Sequence, residues 1–125
     1  MIPEDIKFTD THEWIRIDGE YGIIGVTQYG FEKLADVVYI ELPEIGTRIK
    51  QGEPFGVIES VKAAVDLIAP VSGIVEDVNE SARSSPETLP DDPYGESWLI
   101  KVKIEDPSEV EKLLSSAAYE ELIRE

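Results

Sequence analysis

Phe55-Gly56-Val57-Ile58-Glu59-Ser60-Val61-Lys62-Ala63-Ala64-Val65-Asp66-Leu67-Ile68-Ala69 is the stretch from which the fold is read. Two short β-rich runs, Phe55 to Ser60 and Ala64 to Ala69, lie on either side of Val61-Lys62-Ala63. Runs of this length, rich in branched residues and bounded by turn signals, predict strands joined by a tight turn. Lys62 then sits near a hairpin tip. A lysine in a turn ordinarily keeps a sheet edge soluble. Here it stands alone beside small Ala63 and Ala64, where an enzyme could recognise and modify one amine and ignore the others.

Around this hairpin a pattern recurs 27 residues on: Pro43, Gly46, Gly52 and Glu53 match Pro70, Gly73, Asn79 and Glu80, while Ile49 falls opposite Glu76. Each copy predicts a turn, a short strand and a second turn at Gly or Asn, the residues most tolerant of positive φ. Two such copies could pack as halves of a flattened barrel. Upstream, Glu13–Ile17 and Gly22–Val26 flank Asp18-Gly19, a hairpin signal. Thr27 is placed to cap a short helix from Gln28 to Ala35, in which Gly30 costs about 1 kcal/mol relative to alanine. Val37–Ile40 resumes strand texture.

Downstream, Ser81 to Ser97 is a long polar segment with Pro86, Pro90, Pro93 and Gly95, expected to pack over the surface or to be functional. Trp98, Ile100, Val102 and Ile104 then alternate with Lys101 and Lys103, one face for the core and one for water. From Ser108 the period becomes helical. Ser108 and Glu111 form a capping-box pair, followed by Val110, Leu113 and Leu114, and a further turn runs from Ser116 through Tyr119, Leu122 and Ile123. That apolar stripe is expected to lie against the β body. The expectation is one mainly β domain over residues 1–125, a small barrel or sandwich with a short internal helix and a C-terminal helical segment at about 108–124.

Composition narrows what such a domain does. Its 125 residues are enough to hide roughly two thirds of the surface that the unfolded chain exposes. The net charge of −16 repels phosphate backbones and anionic lipid alike, which argues against nucleic-acid and membrane-surface partners. Apolar content of 42% argues that this acid sits on a folded body rather than a disordered chain. The chain contains no cysteine, so any sulfur redox chemistry must be borrowed. No apolar run approaches the ~18 residues of a membrane span. The start, Met1-Ile2-Pro3-Glu4-Asp5, looks like neither a secretory signal nor an organellar presequence, and a cytoplasmic location is expected ahead of a mature mitochondrial matrix form.

Enzyme signatures do not emerge. There is no Gly-x-Ser-x-Gly elbow, no phosphate-cradling Gly-rich loop and no His-Glu-x-x-His pair. The single histidine, His12, has no evident nucleophile partner and reads as structural or rim-lining. Asp91-Asp92 lacks the spacing of a calcium loop, and Glu120-Glu121 with Glu125 reads as the wet face of a helix. No metal site is expected.

The string Glu59-Ser60-Val61-Lys62-Ala63-Ala64, with Asp66 and Ala69-Pro70-Val71-Ser72-Gly73, resembles the lipoyl attachment segment of the glycine cleavage system H proteins. The resemblance spans nearly the whole chain. It takes in Thr11-His12-Glu13-Trp14, Gly25-Val26-Thr27, Glu41-Leu42-Pro43-Glu44, Asp92-Pro93-Tyr94-Gly95-Glu96, Trp98-Leu99-Ile100-Lys101 and Tyr119-Glu120, in the same order. Three departures stand out: Ala35 where the family commonly has glycine before the aspartate, Val65 in place of a small polar residue, and Gly30-Phe31 within the helix.

The resemblance implies the barrel-sandwich hybrid fold of lipoyl carriers, with lipoic acid in amide linkage to Lys62. It implies a non-catalytic shuttle. Glycine decarboxylase, a pyridoxal-phosphate enzyme, would load an aminomethyl group onto the dithiolane, and aminomethyltransferase would pass the one-carbon unit to tetrahydrofolate. Dihydrolipoyl dehydrogenase, using FAD and NAD, would reoxidise the dithiol, and a lipoylating enzyme would install the arm. Carried over by position, Thr11, Glu13 and Asp66 would line the cleft that shelters the loaded arm. Three other readings compete with this one. A biotin carrier would place methionines beside its lysine, where Val61 and Ala63 stand. A 2-oxoacid dehydrogenase lipoyl domain would have an acidic residue before the lysine, and mobile linkers. A lipoate-relay paralogue or an unmodified interaction protein could use the same scaffold.

Overall fold

The computed structural model describes residues 5–124. Residues 1–4 and 125 lie outside the described residues, and with them most of the N-terminal stretch and the final acid read above. Nine strands are described: β1 (Lys7–Phe8), β2 (Glu13–Asp18), β3 (Tyr21–Val26), β4 (Val37–Glu41), β5 (Arg48–Ile49), β6 (Pro54–Ser60), β7 (Ala64–Ile68), β8 (Gly73–Val78) and β9 (Ile100–Ile104). They form two antiparallel sheets. One runs β1-β2-β3-β9-β8-β5 and the other β4-β6-β7, so the mainly β expectation holds as two sheets that do not close into one barrel.

Alternation along the strands explains the core. Ile15, Ile24, Val75, Ile100 and Val102 of the larger sheet and Ile40, Ile58 and Leu67 of the smaller one are buried in one cluster. Each such side chain contributes about 1.5–3 kcal/mol on leaving water. Helix α1 (Gln28–Leu34) joins that cluster through Phe31 and Leu34. Its start follows the sequence signal, because the Thr27 hydroxyl accepts the Gly30 N–H at 3.0 Å. It ends one residue earlier than expected. Ala35 takes φ 64°, ψ −136°, a left-handed conformation that only glycine adopts without strain, so the departure from family glycine carries a backbone cost. Gly30 also has a use. A Cβ there would lie 2.8 Å from the Val26 side chain and 3.1 Å from that of His12, so glycine lets the helix pack close.

The Asp18-Gly19 hairpin forms, with Asp18 paired to Tyr21 and the two-residue loop at Gly19-Glu20. The internal repeat is realised in part. Its strands β5 and β8 pair directly, Arg48 with Ile74 and Ile49 with Gly73, but the matched residues do different work. Gly46 and Gly52 are turn residues at φ 95° and 85°. Gly73 instead sits where a Cβ would collide with the Lys103 carbonyl, and Asn79 at φ −78° caps helix α2 (Glu80–Ser84) rather than making a positive-φ turn.

A second, smaller cluster holds Ile6, Phe8, Trp14 and Tyr119, with Trp98, Leu114 and Ile123 packed on it. Trp98 therefore belongs to this cluster and precedes β9, unlike Ile100 and Val102 with which it alternates in sequence. Helix α3 (Ser116–Ile123) brings Tyr119 onto Phe8, rings stacked at 4.5 Å. Leu122 is 49% exposed and does not share that packing. The expected helix from Ser108 is corrected. Pro107–Lys112 is a 3₁₀ segment capped by Asp106, whose carboxylate accepts the Ser108 N–H at 3.1 Å. Proline at the first position and a better-placed Asx acceptor outcompete the Ser108–Glu111 box. The polar segment after Asn79 packs over the surface through α2 and a 3₁₀ segment, Pro86–Asp91, that buries Leu89.

Candidate functional site

Ser60 builds the lysine turn. Its N–H donates to the Ala63 carbonyl at 2.7 Å, and its hydroxyl oxygen accepts the N–H groups of Ala63 at 3.1 Å and Lys62 at 3.3 Å. Val61 N–H donates to the Asp36 carbonyl at 3.1 Å, which ties the tip to the segment between α1 and β4. The backbone is therefore satisfied from within. Outward, Val61 is 67% exposed and Lys62 is exposed.

Beside the turn lies a cleft of about 230 Å³, lined by Lys62, Thr11, Glu13 and Asp66 together. All four residues singled out in the sequence meet there. Val65, Leu34 and Leu67 supply an apolar wall, so the Val65 departure adds apolar surface to the cleft. A larger cavity of about 500 Å³ shares Thr11 with the cleft but is lined by neither Lys62 nor Glu13, so the chemistry points to the smaller one.

Glu13 is the unusual group. It begins β2, is 2% exposed, and both carboxylate oxygens accept hydrogen bonds. Oε1 takes the hydroxyls of Thr9, at 2.6 Å, and Thr11, while Oε2 takes the Ile68 N–H at 3.0 Å. Burial pushes its pKa up, and the Ile68, Thr11 and Thr9 donors pull the other way without cancelling it. No cation pairs with it among the described residues. A buried carboxylate held by neutral donors and lacking a countercharge is a natural seat for a small cation such as a primary ammonium. Asp66, exposed on the edge strand β7, adds a second carboxylate at the rim.

Thr11 is placed at the cleft, but its hydroxyl proton goes to Glu13, so it orients the carboxylate. Thr9 does the same and escaped sequence reading, as did the Ile68 amide. A threonine two residues before a motif carries no signal, and a backbone N–H from β7 carries none at all. His12 is a rim residue, with Nδ1 2.8 Å from the Tyr119 hydroxyl. Its pKa is lowered by burial first and by Lys33 second.

An exposed lysine on a stiff hairpin, beside a cleft that it helps to line, is the arrangement of a carrier type of protein. The glycine cleavage H-protein family model matches residues 6–125. The glycine cleavage system H protein of Carboxydothermus hydrogenoformans is 50% identical over 125 residues, covering 100% of this chain and 96% of that one. That of Symbiobacterium thermophilum is 48% identical over 124 residues, covering 99% and 97%. The crystal structure of a glycine cleavage system H protein from Mycobacterium marinum superposes with a TM-score of 0.87 at 40% identity, covering 94% of this chain and 95% of that one. The chain belongs to the glycine cleavage H-protein family, and its role is that of a carrier in the glycine cleavage system.

Proposed function

We propose that Lys62 carries lipoate in amide linkage to Nζ and that Thr11, Glu13 and Asp66 shelter the arm once it bears an aminomethyl group. The observation that carries this reading is the shared cleft: an exposed lysine on a rigid turn and a buried, unpaired Glu13 carboxylate line the same 230 Å³. The fit is chemical. The apolar wall of Val65, Leu34 and Leu67 suits an aliphatic chain, and the two carboxylates suit a protonated amine at its end. When bound, lipoate would supply the dithiolane chemistry that this cysteine-free chain lacks.

The protein's own residues then divide the labour. Ser60 and the Asp36 carbonyl hold the tip still, Lys62 holds out the arm, and Glu13 and Asp66 retain the amine and keep water from displacing it. A flexible arm on a fixed tip raises its local concentration at successive active sites without any chemistry by the polypeptide. The partners are glycine decarboxylase, aminomethyltransferase, dihydrolipoyl dehydrogenase and a lipoylating enzyme, and the chain is a non-catalytic subunit among them. Bacterial relatives support the cytoplasm as its compartment. Among the described residues no helix is long and apolar enough to cross a membrane.

Intact-mass measurement of protein made in lipoate-supplied cells tests the attachment. A lipoyl addition that disappears in Lys62→Arg is expected. A biotin-sized addition, or none where a control carrier is lipoylated, overturns it. Glycine-dependent bicarbonate exchange with a cognate decarboxylase separates this role from lipoate relay.

A further inference from the structure

The cleft wall contains a histidine whose proton is set from the far end of the chain. Thr27 is fully buried, and its hydroxyl oxygen has two neighbours: the Gly30 N–H, which donates to it at 3.0 Å, and the Tyr119 hydroxyl at 2.7 Å. The Thr27 hydroxyl hydrogen needs an acceptor, and among the described residues only the Tyr119 oxygen is in place. A buried hydroxyl proton left without one costs about 1–3 kcal/mol. Thr27 therefore donates to Tyr119. The Tyr119 hydrogen must then go to its other neighbour, Nδ1 of His12 at 2.8 Å, and a nitrogen that accepts a hydrogen bond carries no proton.

We infer that Tyr119 is a positioning residue for the cleft: the relay Thr27 O–H to Tyr119 O–H to His12 Nδ1 holds His12 as the neutral Nε2–H tautomer, so that the ring brings no positive charge to a site that binds a cation. The consequence for that site is electrostatic, and this part rests on the function proposed above. A protonated His12 would sit one residue from Glu13 on the wall of the same cleft and would weaken its hold on an ammonium. Protonating Nδ1 would set two donors against each other and require the whole chain of hydroxyls to reverse.

The surroundings agree. Facing or flanking His12 are Tyr29 and Lys33 of α1, Tyr119 of α3, Asp10 in its own turn and Asp66 across the cleft. Burial and Lys33 lower its pKa, and only Asp10 opposes them. The Tyr119 phenol, pushed up to about 12 mainly by burial, remains a donor throughout the physiological range. The left-handed backbone of His12, φ 75°, turns the chain so that its carbonyl accepts the Thr27 N–H at 2.9 Å, which closes the loop around the relay.

His12 is the only histidine in the chain, so long-range proton–nitrogen correlation spectra of the ¹⁵N-labelled, unlipoylated protein report it alone. At neutral pH the Nε2–H pattern is expected, and an Nδ1–H pattern or an imidazolium overturns the inference. In Tyr119→Phe the titration midpoint of His12 should rise by about half a pH unit or more, whereas Thr27→Ser, which keeps the hydroxyl, should leave it in place. An unchanged midpoint in Tyr119→Phe removes Tyr119 from the role. Should that variant not fold, the wild-type tautomer alone decides the matter. In loaded, lipoylated protein, Tyr119→Phe should release ammonia faster than wild type at neutral pH and at the same rate at alkaline pH, where His12 is neutral in both. An excess that persists at alkaline pH marks a merely structural defect and overturns the electrostatic role. Failure of lipoylation would leave the tautomer result standing and sink only the arm-sheltering reading.

Discussion

Lys62 and Glu13 face the same cleft in opposite physical states. Lys62 stands on a three-residue turn whose backbone is satisfied by Ser60 and Asp36 while its side chain is exposed. Glu13 is 2% exposed, with both oxygens accepting from Thr9, Thr11 and the Ile68 amide. Under the proposed function, the contrast is one between presenting a group and protecting it. Presentation needs a rigid base and a free side chain. Protection needs a charge already out of water, held by donors that need not rearrange when a ligand arrives.

The largest expected effect lies on the presenting side. Lys62→Arg should abolish lipoyl addition in intact-mass spectra while the thermal unfolding midpoint stays within error, because the side chain is exposed and supports no packing. Retention of a lipoyl mass would break the comparison at its root.

On the protecting side, Glu13→Ala should speed ammonia release from the loaded protein and also destabilise the fold by about 1–3 kcal/mol, since the buried Thr9 hydroxyl and the half-buried Ile68 N–H lose their acceptor. Asp66→Ala should speed release with little change in stability, because that carboxylate is exposed. Unchanged decay in both variants would remove these residues from the site. Urea denaturation gives the stability arm.

A smaller effect should come from the strain beside the tip. Ala35→Gly relieves a left-handed conformation one residue before Asp36, whose carbonyl holds Val61. We expect a gain of about 1 kcal/mol in chemical denaturation, the strain released exceeding the glycine entropy cost. A loss of stability would show that the alanine is unstrained.

The smallest effect is a pH dependence. The Glu13 carboxyl titrates higher in the fold than in the unfolded chain, so the fold favours its neutral form. Its contribution is fully present below the ordinary glutamate range and is lost as pH rises through the raised value. Relative to Glu13→Gln, wild type should therefore lose stability between acid and neutral pH. A difference that does not change with pH would mean that desolvation does not dominate at Glu13.

Some of this architecture was legible in the chain and some was not. The β-rich runs around Lys62, the Thr27 cap and the Asp18-Gly19 hairpin are local signals, and each produced its element. Local rules failed where two of them competed: Asp106 and Pro107 displaced the Ser108–Glu111 box and turned the expected helix into a 3₁₀ segment. They also failed where like residues met unlike surroundings, as at Gly46, a positive-φ turn, and Gly73, a point of close backbone approach. Thr11 lines the cleft with its hydroxyl turned toward Glu13.

Sequence alone placed Lys62 at the tip of a tight turn between two strands, because exposure at a hairpin follows from residues adjacent in the chain. It also carried the family resemblance, through motifs spread along nearly its full length. Tertiary structure decided the hydrogen bonding of the cleft and the direction in which its buried groups titrate. Glu13 is held by Ile68, 55 positions away, and His12 by Tyr119, 107 positions away. Desolvation and the direction of a hydrogen-bond chain depend on which groups meet in space, and no local pattern encodes that.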